Sequence, residues 1–248
     1  MLVLTVAFAV TAALYASVGF AGGSTYNALL ALAGVDHRVF PLVALACNLI
    51  VATGGTIRFA QADLVPWRRL VPLLLLSMPA AWLGGMLPVS KQLFLWLLGA
   101  SLLLASALLM LQREREVAER RWTLLGPVIA APIGLLSGIV GIGGGIFLAP
   151  VLHLIGWDRA KRVAAAASVF ILANSVAGLG GQLTKLAGAP ELLDVAFSYW
   201  PLALAVLIGG QLGSRLGVQY LSPVWLRRLT ALLILYVGVR LLLQAWSA

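Results

Sequence analysis

The chain has 248 residues, 62% of them hydrophobic and 10% charged, with mean hydropathy +1.03 and a formal net charge of +9. So apolar a composition, against roughly 45–50% for ordinary soluble domains, excludes a water-soluble fold and leaves a polytopic membrane protein. The 17 basic residues fall mostly at the ends of apolar runs, where the positive-inside rule places them, without any aromatic–basic platform; nucleic acid is therefore excluded as a partner.

The stretch from Met1 to Val18 lacks the basic n-region of a secretory signal and is expected to form the first membrane segment. Apolar runs occupy 2–19, 24–34, 39–58, 70–88, 91–111, 124–140, 145–156, 162–183, 196–214 and 224–246. Six of these ten reach the about 20 residues that a bilayer crossing needs. The runs 24–34 and 145–156 cover only about 16–18 Å of a core about 30 Å thick, and their predecessors are barely long enough. Glycines join each short run to the one before it: Gly19, Gly22 and Gly23 in the first case, Gly141, Gly143, Gly144 and Gly145 in the second.

The only strongly charged stretch, QREREVAERR from Gln112 to Arg121, reads as a solvated linker. It divides the chain into an N-terminal membrane repeat, 1–111, a linker, 112–123, and a C-terminal membrane repeat, 124–248. At an offset of 122, Gly19, Gly22, Gly23, Gly34 and Asp36 match Gly141, Gly144, Gly145, Gly156 and Asp158. Gly84 and Gly85 match Gly209 and Gly210 at an offset of 125, and Asn48 matches Asn174 at 126.

Basic residues give the expected sidedness. With five segments in each half, 13 of them fall on one face: Arg58, Arg68 and Arg69; Arg113, Arg115, Arg120 and Arg121; Arg159, Lys161 and Arg162; Arg215, Arg227 and Arg228. Arg38, Lys91, Lys185 and Arg240 remain for the other, whereas four crossings per half would set 113–121 and 159–162 on opposite faces. The expected fold is thus an all-α polytopic membrane protein of two inverted repeats with about five helical segments each. Residues 2–34 and 124–156 are expected to be glycine-broken helical hairpins or bent helix pairs, entering from opposite faces. Irregular backbone at membrane depth survives only buried in protein or lining a wet cavity, so the two turns should meet near the midplane.

The short helices begin near Ser24 and Gly145, and a helix N-terminus offers N–H donors and partial positive charge to an anion. The candidate substrate-binding residues are Gly22, Gly23, Ser24, Asn27, Asn48, Gly143, Gly144, Gly145 and Asn174. Glycine packing competes with this reading at the turns, and interhelical hydrogen bonding competes at Asn48 and Asn174. Gly141-Ile-Gly-Gly-Gly145 lacks the Lys-Ser or Lys-Thr and the preceding strand of a nucleotide loop. Thr53 and Gln211 read as structural, Ser175 and Gln182 as further polar residues within spans, and Arg58 as a snorkelling residue. The ridge Gly209, Gly213 and Gly217 reads as packing or a homodimer face. Trp67, Trp122, Trp157 and Trp225 lie beside basic loops as an interfacial belt would.

Every acidic residue lies in or beside a loop, which disfavours a buried carboxylate relay. His153 is expected to be an interfacial hydrogen-bonding residue and His37 a loop residue. Cys47 alone excludes an internal disulfide and a cysteine metal cluster, and no cofactor or metal is expected. No GxSG serine or HExxH motif is present, so the chain is not expected to be an enzyme.

GLLSGIVGIGGGIFLAPVLHLIG, residues 134–156, resembles the glycine-rich hallmark of the sulfite exporter TauE/SafE family, also called TSUP. YASVGFAGGSTYNALLALAG, residues 15–34, is similar as a divergent copy, without the third consecutive glycine and with Ala28 in the place of Pro150. SMPAAWLGGMLP, residues 77–88, resembles the glycine pair that the family carries after the third span of a half. The resemblance covers nearly the whole chain. It implies a multi-pass inner-membrane transporter, an exporter of sulfur-containing anions such as sulfite, thiosulfate or organosulfonates. A passive anion channel and a non-transporting assembly subunit are the alternatives.

Overall fold

The computed structural model describes residues 1–17, 19–111, 125–216 and 223–246. The charged linker, with its Arg113–Arg121 cluster, Glu114, Glu116, Glu119 and Trp122, lies outside the described residues, as do Val18 and Gly217 and the side chains of Arg215, Trp225 and Arg227.

The described chain is all helical, without a strand. In order the helices are α1 (Leu2–Ser17), α2 (Gly23–Leu32), α3 (Phe40–Gln61), α4 (Trp67–Met86), α5 (Lys91–Leu111), α6 (Leu125–Val140), α7 (Gly145–Leu154), α8 (Ala160–Leu186), α9 (Pro190–Ser198), α10 (Trp200–Leu216) and α11 (Pro223–Trp246). Four of them, α3, α4, α5 and α8, are single helices long and apolar enough to cross a membrane. The run 196–214, expected as one segment, is a pair: α9 and α10 meet at a 44° bend. Pro201 lies in the first turn of α10, just after the break, where proline is tolerated because that N–H would have no helical partner.

Burial sorts the helices into an inner and an outer set. The short α2 and α7 have seven buried residues each out of ten, and α3 and α8 are the long helices with the largest buried share. Around them, α4, α5, α10 and α11 expose large apolar side chains, including Leu75 at 67%, Leu104 at 53%, Ile208 at 60% and Leu243 at 66%. A bare apolar surface of that extent is a lipid-facing surface. The protein is a multi-pass membrane protein.

The packing of the outer helices is reciprocal. Helix α1 packs on α10, and its sequence counterpart α6 packs on α4. Glycine makes both contacts possible, because a Cβ at Gly84 would strike the Leu135 carbonyl and one at Gly209 would strike the Ala9 carbonyl. The neighbouring glycines face the inner set in both halves, Gly85 against Gly178 of α8 and Gly210 against Val51 of α3. The ridge of Gly209 and Gly213 is therefore occupied within the molecule, against Ala9 and Ala13 of α1.

Charged loops mark two ends. At one, Arg69 donates to the Trp157 carbonyl (3.0 Å) and pairs with Asp158 (3.5 Å), which Arg162 also approaches (3.7 Å). At the other, Asp36 pairs with Arg38 (2.7 Å) and with His37 (3.2 Å), within electrostatic reach of Lys91 and Lys185. Lys91 and Lys185 thus lie in the neighbourhood of Arg38 and His37, while Arg69 and Arg162 share Asp158. Trp157 does not join an interfacial belt: it is only 8% exposed, while Trp67 is 50% exposed. The left-handed turn at Gly156 carries the chain back, with Trp157 N donating to the Leu152 carbonyl, and sets the indole into the core.

Candidate functional site

Each short helix opens from a left-handed glycine. Gly22 (φ 90°) precedes α2 and Gly144 (φ 79°) precedes α7, a conformation that costs an L-residue about 1–2 kcal/mol. The preceding helix folds back over each turn in the same way. A Cβ at Gly22 would lie 3.1 Å from Thr11 of α1, and one at Gly144 would lie 3.0 Å from Ile133 of α6; residues 11 and 133 again differ by 122. Phe8 stacks on Tyr26 at a centroid distance of 4.7 Å, although an unbroken helix would separate residues 18 apart by about 27 Å. Tyr15 and Thr25 close the first turn through a 2.9 Å hydroxyl–hydroxyl hydrogen bond. The pair α1–α2 is thus a hairpin and not a straight crossing.

The two turns meet. A Cβ on Gly23 would sit 2.6 Å from the Ile142 carbonyl oxygen and would overlap the Asn48 amide. Two asparagines of the first half tie the second turn in place. Asn48 Nδ2 donates to Ile142 O (3.2 Å), and Asn27 Nδ2 donates to Val140 O (2.8 Å). From the other side α8 closes over the second turn, with Phe170 against Gly144, Ile171 against Gly145 and Ser175 Oγ against Gly143. Gln182 of α8 braces the end of α6 through the Gly138 carbonyl (2.8 Å).

All nine sequence-selected residues are buried: Ser24 is 1% exposed, Asn27, Asn48 and Asn174 are 0%, and the glycines share their class. Gly23, Asn48, Gly143 and the Asn27 anchor form one junction. Asn174 stands a turn from it on α8, beside Ser175, and donates to the Phe170 carbonyl of its own helix (2.9 Å). The symmetry of sequence between Asn48 and Asn174 is therefore not a symmetry of contacts. The first-half turn presents Phe20, Ala21 and Gly22 where the second presents Ile142, Gly143 and Gly144, and Asn27 corresponds to Ala149.

Two electrostatic features distinguish the junction. Neither α2 nor α7 has a side-chain cap, so their first N–H groups point out of buried helix ends. Several buried oxygens around them also have no hydrogen-bond partner among the described residues: Asn27 Oδ1, Asn48 Oδ1, Asn174 Oδ1, Ser175 Oγ and Tyr26 Oη. Buried polar groups are ordinarily satisfied, so these orphans call for a partner; Ser77 Oγ, Ser137 Oγ and Gln182 Oε1 are orphans too. Tyr26 and Ser175 were not among the selected residues. The signal for Ser175 was its place next to Asn174; Tyr26 gave none, since tyrosine in a membrane chain usually marks an interface.

Thr53 donates to Leu49 O (2.7 Å) and faces outward, Gln211 is exposed, and Arg58 folds back along α3 toward Gly54. Cys47 is a buried free thiol.

This architecture matches a known family. The model of the sulfite exporter TauE/SafE family aligns with residues 3–241. The chain belongs to the TauE/SafE family. Relatives agree: a probable membrane transporter protein of Sinorhizobium fredii is 35% identical over 96% of this chain and 97% of its own length. Another of Xylella fastidiosa is 29% identical over 93% of both chains. One from the archaeon Methanocaldococcus jannaschii is 26% identical over 75% of this chain and 72% of its own. No solved structure matches the chain. In this chain the glycine-rich stretch 134–156 contains the turn that Asn27 and Asn48 hold, and the chain is a membrane transporter of TauE/SafE type.

Proposed function

We propose that the protein is a secondary transporter, an exporter of small sulfur-containing anions such as sulfite, thiosulfate or organosulfonates, working by alternating access at the junction of the two turns. The observation that carries this reading is the meeting of the two glycine turns at Asn48, with an uncapped, buried helix N-terminus leaving each turn. They supply donors and partial positive charge to an anion without burying a full cation in the membrane. The substrate class comes from the family to which the chain belongs.

The pathway follows from the reciprocal packing. The two halves are read as inverted repeats, so that rocking one against the other opens the junction first to one face and then to the other. The protein is placed in the bacterial inner membrane with the 112–123 linker in the cytoplasm, the side richer in arginine. The membrane potential drives an anion outward, and export through such a carrier needs no carboxylate relay.

The test is binding followed by flux. Purified protein is heated with sulfite, thiosulfate, sulfoacetate, sulfate, acetate and chloride at equal ionic strength. A ligand at about 100 times its dissociation constant should add about 2.7 kcal/mol of stability. Sulfite or a sulfonate is expected to stabilise selectively and to exchange across proteoliposomes with saturation and counterflow. Flux without saturation or counterflow would replace the carrier with a channel, and neither binding nor flux would leave an assembly subunit.

A further inference from the structure

The junction offers two opposite kinds of polar surface, and one of them is wrong for a bare anion. The N-termini of α2 and α7 present N–H donors at Gly23 and Gly145. The turns also carry side-chain amide oxygens, which can only accept, and one hydroxyl, which can donate or accept. Asn27 and Asn48 each commit an amide N–H to a main-chain carbonyl of the second turn, and those bonds fix which end of each amide is oxygen. Both Oδ1 atoms are fully buried and without a partner, as is Ser175 Oγ beside Gly143. An anion with only acceptor oxygens leaves these carbonyls unsatisfied and sets lone pairs against lone pairs. A metal cation would satisfy them but would stand against two positive helix ends. The atoms nearest Gly23, Gly143, Gly144 and Gly145 belong to Asn48, Ile142, Ile171, Ser175, Phe170, Ile133 and Ala167, none of them cationic.

We infer that the site is matched to a singly charged oxyanion that carries a hydrogen-bond donor of its own, hydrogensulfite in place of the sulfite dianion. This rests on the anion-transporter reading above and deepens it. The anionic oxygens face the N-termini of α2 and α7, and the proton of the ligand is donated to Asn48 Oδ1 or Asn27 Oδ1. A site built around a ligand donor rejects an analogue that lacks it far more strongly than a pocket rejects a change of shape. The titratable and charged groups on the surrounding helices include Tyr15 on α1, Tyr26 on α2, Cys47 and Arg58 on α3, Lys91 at the start of α5, His153 at the far end of α7, Lys161, Arg162 and Lys185 at the ends of α8, and Arg228, Tyr236 and Arg240 on α11. The proton that sets the pH dependence is the ligand's.

The test compares dissociation constants for sulfite and methanesulfonate, a monoanion without a donor, over a pH series spanning the second ionisation of sulfurous acid. Sulfate is the acceptor-only dianion. For total sulfite the apparent constant is expected to rise about tenfold per pH unit above that ionisation, while that of methanesulfonate stays flat, which separates titration of the ligand from titration of His153. At the acid end methanesulfonate and sulfate should bind at least about tenfold more weakly than sulfite. Asn48→Ala should bring sulfite and methanesulfonate together; if that variant does not fold, the wild-type series decides. Equal affinity for the three anions, or sulfite affinity that holds or rises with pH, overturns the inference and leaves anion transport standing. Binding of none of them overturns the inference as well, and the thiosulfate, sulfoacetate and flux measurements above then decide the transporter reading.

Discussion

At the scale of single residues, the junction depends on atoms too close to be altered quietly. Gly144→Ala places a side chain in a left-handed position and against Phe170, so about 1–2 kcal/mol of backbone strain is added to a steric clash. Thermal unfolding in detergent should show that loss, and an unchanged midpoint would mean that the turn relaxes freely. Asn48→Ala leaves the Ile142 carbonyl without its donor in a buried site, a loss of about 1–3 kcal/mol. Outside the membrane-spanning segments, Arg38 hydrogen bonds hold Asp36 below the usual carboxylate range. Burial pushes His37 below its ordinary value, with Arg38, Lys91 and Lys185 acting in the same direction against Asp36. Both groups bind protons more readily unfolded than folded, so both contributions are lost as pH falls: His37's below its ordinary range near 6.5, Asp36's below about 4. Lowering the pH from 7.5 to 5.5 should therefore destabilise the wild type by a fraction of about 1 kcal/mol more than His37→Leu, the small size reflecting solvent screening. Equal losses in the two proteins would remove His37 from the account.

At the scale of elements, the glycines at helix crossings divide into equivalent pairs. Gly84→Leu should separate α4 from α6, and Gly209→Leu should separate α10 from α1, because each glycine rests on a carbonyl of its neighbour. The two variants should lower the unfolding midpoint by similar amounts. Gly188→Leu, with open space around its Cβ, should not. A tolerant Gly209 would break the equivalence of the halves. Much of this was legible beforehand. The long α3, α4, α5 and α8 follow the apolar runs closely, and the glycine spacing located both turns, because a membrane helix needs length and close packing needs glycine. The α9–α10 bend was hidden, since Glu191 and Asp194 lower the apolarity of the first helix and the run then begins only past its middle. The burial of Trp157 was hidden too, as it depends on the left-handed turn at Gly156 and not on local composition. Nor could spacing show that Asn48 reaches across to the second turn while Asn174 bonds within α8: the choice is made by what lies opposite each side chain.

At the scale of the whole molecule, the two charged ends differ in construction. Asp158 joins α4, through Arg69, to α8, through Arg162, whereas Asp36 pairs with its own loop. An alternating-access cycle has to loosen the first of these to open that end. Asp158→Asn is accordingly expected to shift the balance toward the conformation open there, read as faster labelling of a Ser175→Cys thiol, beside Gly143, in a Cys47→Ala background by a reagent applied from that face. Unchanged labelling would mean that the ion pairs do not hold the end closed. Sidedness is open to a separate check: cysteines at Lys91 and Lys161, both exposed, should react with an impermeant reagent from opposite faces of the membrane. Reaction from the same face would contradict the arrangement of the loops.

The central claim is that the anion passes through the meeting point of the two turns. Sulfite counterflow into proteoliposomes by wild type, Gly188→Ala and Gly23→Ala tests it most directly. Gly23 has no left-handed strain, but its Cβ position is not free: an added methyl presses on the Asn48 amide and the Ile142 carbonyl and displaces the contacts that join the two turns. The account predicts saturable counterflow in the wild type and in Gly188→Ala, and a loss of at least about tenfold in Gly23→Ala protein that remains folded. Wild-type rates from folded Gly23→Ala would place the path elsewhere and contradict it.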